Sequence, residues 1–466
     1  MKKIRLGFVP AHREPFDENW AEEMRKRCLD SFAGIEGAEI VVPDKKLTKN
    51  GCVRNDDEAE KTIALFAEKG IDGLLIGTMT FGDEVAALSV ASAFQDLPIL
   101  LFGTKEGPFT ADGGRRSDSF CGTLSVSSGL HRRQIPFVFG GLVFPEEEEF
   151  QLIVSDFVRV CSVCKGFIGA RIGLVGPRPE RFETCIFSED ELMRQFDQRV
   201  VPISIPDIMK MADPAGANAE EIKKIAAKIK KKADVSDVAK STIGKMAGLE
   251  YALFTFAQDK NLSAMGVQCW NAMQEVYGIS PCHVMGRLTD AGVMTSCEVD
   301  IYGALTMLFQ YQAALGSTVP HFIDWTIKHQ EMEDTFLAWH CGNGPASLAC
   351  NADEVKLRYH SILGESLGID RSQGTGEFQL KEGIVTLCRL QEHEGEFKML
   401  ITNGEAIHSD EKLRGSWSWV QVDDLDELYG TLIEEGFVHH ASMIHGDYSE
   451  AIIDACSFLG IEPIVV

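Results

Sequence analysis

Gly73-Leu74-Leu75-Ile76-Gly77 is apolar throughout, Glu84 to Gln95 repeats its apolar residues at helical spacing, and Pro98-Ile99-Leu100-Leu101-Phe102 is apolar again. A strand on a half-solvated sheet alternates apolar with polar residues, whereas a strand without polar positions is covered on both faces. Such strands separated by helices predict a parallel sheet between two helical layers. The alternation extends outward: Ile4 to Pro10 reads as a strand, Asn19 to Phe32 as a helix, Ala38 to Val42 as a strand and Glu58 to Lys69 as a helix. Ligand-facing loops of these sheets lie at the carboxyl ends of the strands. That places Ala11-His12-Arg13-Glu14 and Met79-Thr80-Phe81-Gly82 at one rim.

A second α/β unit starts near residue 165, with Arg171-Ile172-Gly173-Leu174-Val175-Gly176 as a buried strand. Helices are predicted at Glu189 to Phe196, Ala219 to Lys231 and Asp234 to Asp259, and a strand at Leu262 to Val267. The Gly173-x-x-Gly176 spacing is no dinucleotide fingerprint, and Pro177-Arg178-Pro179 is too proline-rich to open a phosphate-cradling helix. After about residue 330 the pattern changes. Phe378 to Leu380, Gly383 to Leu390, Glu396 to Ile401 and Ser416 to Val420 read as antiparallel strands, followed by a helix at Ser449 to Leu459 and a strand at Ile461 to Val466. The expected fold class is α/β: two Rossmann-like parallel-sheet domains, 1–164 and 165–328, and a β-rich C-terminal domain, 329–466.

At 466 residues the chain exceeds one hydrophobic core, and its 45% apolar content is that of a globular protein. The balance of 45 basic against 70 acidic residues, a net charge of −25, argues against nucleic acid as a partner. The basic run Lys223-Lys224 to Lys230-Lys231-Lys232 has Ile and Ala at helical spacing and reads as a solvated helix face. Thirteen cysteines lack a disulfide-like rhythm, and Met1-Lys2-Lys3 runs straight into the first strand, so no signal peptide and a reducing cytoplasm are expected. Cys161 and Cys164 have redox-motif spacing but a helical context, which reads as packing. No stretch is apolar for long enough to span a membrane.

The chemistry concentrates in Cys297-Glu298-Val299-Asp300-Ile301-Tyr302-Gly303, in His321-Phe322-Ile323-Asp324-Trp325, in Trp339-His340-Cys341 and in Val438-His439-His440. Carboxylates and imidazoles in apolar sequence are costly to bury without a partner, and a divalent cation satisfies both. Each has a plainer reading: Glu298 or Asp324 as a helix-terminal acid, and His340, His439, His440 or His445 as a hydrogen-bonded or exposed ring. Trp270, Trp325 and Trp339 recur beside Gln268, Asp324 and His340, which suits a sugar site as well as a metal site. On a strand His439 and His440 point to opposite faces, so at most one of them can reach a given ion. Hard acids with imidazole suit Mn²⁺, Mg²⁺ or Co²⁺. The flanking cysteines lack zinc-site spacing.

Gly266-Val267-Gln268-Cys269-Trp270, Pro281-Cys282, Thr295 to Asp300, Phe322 to Trp325, Gly383 to Leu390 and Gly436 to His440 with His445 occur in the order of the L-fucose isomerase and L-arabinose isomerase superfamily, which the chain resembles along most of its length. The resemblance implies that Glu298 and Asp324 are metal ligands and the acid–base pair, with His440 as the histidine ligand and His439 turned away. His340 matches a fourth ligand of the arabinose branch. Gln268 and Trp270 would line the sugar pocket, with His12 and Trp419 as further substrate contacts. Arg13 and the Thr80-Phe81 loop would complete a neighbouring subunit's pocket in a homo-oligomer, commonly a hexamer.

The implied reaction interconverts an aldose and a ketose through a cis-enediolate, with proton transfer between C2 and C1, or a hydride shift in its place. The chain is shorter than typical fucose isomerases, which adds C6-modified hexoses such as sulfoquinovose to the fucose- and arabinose-type substrates. An anionic C6 group needs cationic or amide donors, for which Arg13, His12, Arg132 and Arg133 are candidates. The competing readings are a non-catalytic sugar-binding or regulatory protein on the same frame, and a metal-dependent epimerase or aldolase.

Overall fold

The computed structural model describes residues 3–213 and 218–466, so the Met1-Lys2 start lies outside the described residues. The chain forms two compact units, one running to Lys165 and taking in Ile453–Leu459, the other comprising Gly166–Ile452 and Gly460–Val466.

In the first unit, β1 (Ile4–Ala11), β2 (Ala38–Val41), β3 (Gly73–Thr78), β4 (Ile99–Thr104) and β5 (Val138–Val143) form a sheet in the order β2-β1-β3-β4-β5. Every pairing in it is parallel. β3 and β4 are buried at every position, as their unbroken apolar sequence requires. Asp17, Asn55 and Asp83 start the connecting helices Glu18–Phe32, Asp56–Lys69 and Glu84–Ala93 by accepting hydrogen bonds from backbone N–H groups of the first turn. Gly122 is fixed by a close approach: a Cβ there would fall 1.5 Å from the Phe81 carbonyl oxygen. The helix Ser119–Arg132 therefore seats the Phe81 loop.

The second unit holds a smaller parallel sheet of β6 (Arg171–Val175), β7 (Arg199–Ile203), β8 (Ala264–Val267) and β9 (Met294–Ser296), in the order β7-β6-β8-β9. It also holds β10 (His321–Lys328), β11 (Thr335–His340), β12 (Lys356–Tyr359), β13 (Gln373–Gln379), β14 (Gly383–His393), β15 (Glu396–Ile407), β16 (Ser416–Gln421), β17 (His440–His445) and β18 (Glu462–Val465). These form one nine-stranded sheet. Antiparallel pairings run from β16 through β11, β10, β17, β14 and β15, and β15 pairs back onto β16. Six strands are thereby closed into a barrel without free edges. Ile323, Ala338, Val385, Leu387, Leu400, Val420 and Met443 belong to its apolar core.

The two parallel-sheet α/β folds and the β-rich third part agree with the expected fold class. Two details differ. Not every late strand is antiparallel, because β13 adds to β16 and β18 adds to β15 in parallel. The helix expected from Asp234 starts at Lys240 instead, since Asp234 bridges to Lys356 and exchanges backbone hydrogen bonds with Val355 and Leu357. The lysine-rich helix, Ala219–Lys232, buries Ile222 and Ile229 and leaves its terminal lysines exposed, as a solvated face should. Cys161 and Cys164 are buried on the helix Glu148–Phe167. Among the described residues no helix is long and apolar enough to cross a membrane.

Candidate active site

β9 ends at Ser296, and Cys297 to Asp300 form the loop that enters the helix Ile301–Ala313. Asp300 caps that helix, accepting from the Gly303 N–H at 2.8 Å, so Glu298 is released from the capping role it had as an alternative. Glu298 and Val299 adopt φ values of 59° and 60°. That left-handed conformation is costly for a β-branched residue, on the order of 1–3 kcal/mol, and such strain gathers at functional sites. Gly266 on β8 makes room for the turn, since a Cβ there would lie 2.9 Å from the Val299 Cα.

The barrel supplies the remaining groups. Asp324 on β10 stands opposite Trp339 of β11 on one side and His440 of β17 on the other. His440 Nε2 lies 3.2 Å from Glu298 Oε2 and 3.6 Å from Asp324 Oδ1, and His340 Nε2 lies 3.9 Å from the same Asp324 oxygen. Ligand-capable atoms of Glu298, His340 and His440 fall within 4.8 Å of one another, as do those of Asp324, His439 and His440. The structure therefore brings together the four residues that sequence nominated as ligands.

Glu298 Oε2 and Asp324 Oδ1 are buried without a hydrogen bond. The 3.2 Å contact of Glu298 with His440 is thus an ion-pair approach lacking hydrogen-bond alignment. Buried carboxylate oxygens left without donors are expensive. A hard divalent cation accepts this donor set of two carboxylates and two imidazoles, so the residues present suit the ion that sequence called for.

Behind these groups lies a layer that sequence reading did not assign. Asp300 Oδ2 accepts from His440 Nδ1 at 2.8 Å, and Arg389 of β14 donates to Asp300 at 2.5 and 3.2 Å. With Nδ1 donating to a carboxylate, His440 is left to present Nε2 to Glu298 and Asp324, a familiar way of orienting an imidazole ligand. At His340, Nδ1 lies 3.2 Å from the Cys341 sulfur while Nε2 faces Asp324. The one legible signal for the Asp300 pair was an arginine inside the apolar run Gly383 to Leu390, which only a buried acid could accommodate.

Burial alone would lower both imidazoles, but their acidic neighbours outweigh it. His340 is held up to about 9, chiefly by Cys341 and Asp324, and His440 is held well above its ordinary value by Asp300, Cys185 and Glu298. Burial raises Asp324, opposed in part by His340 and His440. Burial would also raise Asp300, yet Arg389 and His440 keep it well below the usual carboxylate range.

His439 is exposed whereas His440 is buried; β17 begins at His440, and the two rings lie 4.1 Å apart. Cys269 and Cys297 place their sulfurs 2.7 Å apart, and Cys282 and Cys341 place theirs 3.8 Å apart.

Gln268 and Trp270 follow the carboxyl end of β8, next to the strand that delivers Glu298. Both are half-buried, and Trp270 stands 5.8 Å from the rings of Phe182 and His360. Trp419 is held elsewhere on the barrel wall, opposite Leu337 and three rungs from the His340 pair. Its indole N–H donates to Glu411 at 2.5 Å and its ring meets His329. Trp325 packs on Phe336, and Trp339 donates to the Arg414 carbonyl. In the first unit His12, Arg13 and Phe81 gather around one loop. His12 Nδ1 lies 2.8 Å from Thr80 Oγ1, and the Arg13 guanidinium sits 4.8 Å over the Phe81 ring. Arg133 donates to the Gly129 carbonyl of its own helix.

Residues 7–168 match the family model of the fucose/sulfoquinovose isomerase N-terminal domain, and residues 338–465 match that of the L-fucose isomerase C-terminal domain. The chain is 25% identical over 472 residues to proteins named sulfoquinovose isomerase from Priestia aryabhattai and Priestia megaterium, covering 99% of this chain and 99% of each relative. A protein of the same name from Alkalicoccus urumqiensis is 26% identical over 387 residues, covering 82% of this chain and 83% of its own. With its first sheet and most of its barrel matched by domain models of one family, and full-length relatives spanning the Glu298 and Asp324 segments between them, the chain belongs to the fucose isomerase superfamily and is an aldose–ketose isomerase.

Proposed function

We propose that the protein interconverts an aldose and a ketose of the sulfoquinovose type, with Glu298 and Asp324 as the acid–base pair and with Glu298, Asp324, His440 and His340 holding a divalent cation of the Mn²⁺ class. The observation that carries this reading is the pair of buried, donorless oxygens, Glu298 Oε2 and Asp324 Oδ1, facing His440 Nε2. A cation of that class supplies Lewis acidity, which lowers the cost of negative charge developing on adjacent sugar oxygens. One carboxylate removes the C2 proton and returns it at C1, while the other carries the hydroxyl proton. Asp324, whose carboxyl is raised by burial, suits the group that holds a proton between the two transfers. Gln268 and Trp270 present an amide and an aromatic face to the sugar. Sulfoquinovose leads the substrate range because it is the sugar in the names of the full-length relatives. Its anionic C6 group calls for a cation, and Arg13 of the first unit is assigned that role in the pocket of a neighbouring copy, within a hexamer.

Chelated protein should be inactive on sulfoquinovose, L-fucose and L-arabinose, and Mn²⁺ should restore turnover with sulfoquinovose preferred. Full activity after exhaustive chelation contradicts the cation; turnover confined to neutral sugars contradicts the C6 assignment.

The raised imidazoles add a pH signature. His340 is held up to about 9, and His440 is raised in the same direction. A cation competes with the proton for these nitrogens, so its affinity should rise with pH through neutrality. Calorimetry in buffers of different ionisation enthalpy measures the proton release, and pH-independent affinity contradicts it. For the cation-free protein the sign is opposite. His340 has a folded value of about 9 against an ordinary 6.5, so its stabilisation is complete below about 6.5 and is lost as pH rises through 9.

A further inference from the structure

β6 ends at Val175, and the chain then runs through Pro177-Arg178-Pro179-Glu180-Arg181-Phe182 to the short turn Glu183–Cys185. Three contacts fix this loop against the candidate active site. At its start Gly176 packs on Gln268, where a Cβ would fall 2.6 Å from the amide oxygen. In its middle the Phe182 ring lies 5.8 Å from that of Trp270. At its end the Cys185 sulfur lies 4.0 Å from His440 Nδ1. Between Gln268 and Trp270, the Cys269 sulfur accepts from the Glu298 N–H at 3.4 Å, so the loop, the sugar-lining segment and the acids are neighbours.

Arg178 and Arg181 occupy the stretch between the first and second contacts. Both are exposed, and among the described residues neither guanidinium makes an ion pair or a hydrogen bond, although Glu180 and Glu183 share the loop. Arg181 also takes a φ of 73°. Side chains with a Cβ adopt that conformation at a cost glycine would avoid, and such strain gathers at functional sites. Arg13, by contrast, shares its charge with Asp83 and Glu84 at 3.9 and 3.6 Å. On a chain of net charge −25, two uncompensated cations beside the site are a local attraction for an anion.

We propose that Arg178 and Arg181 select the substrate by its charge, binding the anionic group at the C6 end of the sugar, an inference that rests on the sulfoquinovose-type reading above. Glu298 and Asp324 engage the C1–C2 end of a hexose, which leaves C6 for groups a sugar's length away. The loop meets His440 at Cys185 and carries the two arginines four and seven residues earlier. A sulfonate offers more oxygens than one guanidinium fork occupies, so both arginines can share it with Arg13 of a neighbouring copy.

Sulfoquinovose and quinovose, its counterpart without the sulfonate, differ at C6 alone, so the ratio of their kcat/KM values isolates the charge. With full-length, Mn²⁺-loaded protein, Arg178→Gln/Arg181→Gln should lower that ratio by at least about 100-fold, mainly through a higher KM for sulfoquinovose. Arg181→Lys should keep more of the ratio than Arg181→Gln, because the charge stays while the fork is lost. Arg181→Gly relieves the left-handed conformation, so its thermal midpoint should equal or exceed that of wild type while the ratio still falls. A double variant whose KM for sulfoquinovose stays within about threefold of wild type overturns the assignment. Equal losses toward both sugars overturn it too, since they mark a loop that only supports the fold. A wild-type protein with no preference for sulfoquinovose contradicts the substrate reading and this assignment with it, whereas a wild-type preference that survives in the double variant contradicts the arginines alone.

Discussion

Glu298→Gln is expected to lower kcat/KM for the sugar by at least about 10³-fold, since it removes both a proton-transfer group and a ligand charge. The protein should still fold. The substitution is isosteric, the loop keeps its Asp300 cap, and Glu298 Oε2 accepts no hydrogen bond that Gln would forfeit. His440 loses one ionic neighbour but keeps Asp300 at 2.8 Å. Urea midpoints of the cation-free variant should therefore lie within about 1 kcal/mol of wild type, while cation affinity drops. That split between intact folding and lost turnover distinguishes a reacting carboxylate from a structural one. Retention of more than a tenth of wild-type activity would place the chemistry elsewhere. Asp324→Asn should behave alike, because both acids face the same His440 nitrogen.

Why these residues were legible, and others were not, has a physical basis. β3 and β4 announce themselves because a strand buried on both faces has nowhere for polar residues. β9 is three residues long, and β7 contains Pro202, so neither carries a periodic signal. Closure of the barrel depends on Glu405 to Ile407 meeting Trp419 to Gln421, a pairing that no local pattern encodes. The metal-binding candidates stood out as acids and imidazoles in apolar sequence, where burial demands compensation. Asp300 did not, because its partner Arg389 is 89 residues away and a capping role accounts for it equally well. Trp419, a substrate contact only by implication of the resemblance, has its indole N–H engaged by Glu411, a partner that no local pattern announces.

Arg389→Met should cost about 3–5 kcal/mol of stability, the range for breaking a buried ion pair from one side. Arg389 is 1% exposed and is the main counter-charge of Asp300, itself 1% exposed. Methionine fills much of the volume but leaves the carboxylate with only His440 and the Gly303 N–H. Asp300 is depressed in the folded protein, so its stabilisation is present above its ordinary value of 3.8 and is lost as pH falls below it. Without Arg389 that depression shrinks, and acid unfolding should begin at higher pH. The double variant Asp300→Asn/Arg389→Met should recover part of the loss, since no uncompensated charge remains. Its turnover should stay low nonetheless, because His440 no longer has a carboxylate to fix its Nδ1 proton. Urea unfolding of the three variants measures the coupling. A loss below about 1 kcal/mol in Arg389→Met, or a double variant no more stable than the single, would mean that Asp300 finds its compensation elsewhere and that the Arg389 pair does not hold His440 in place.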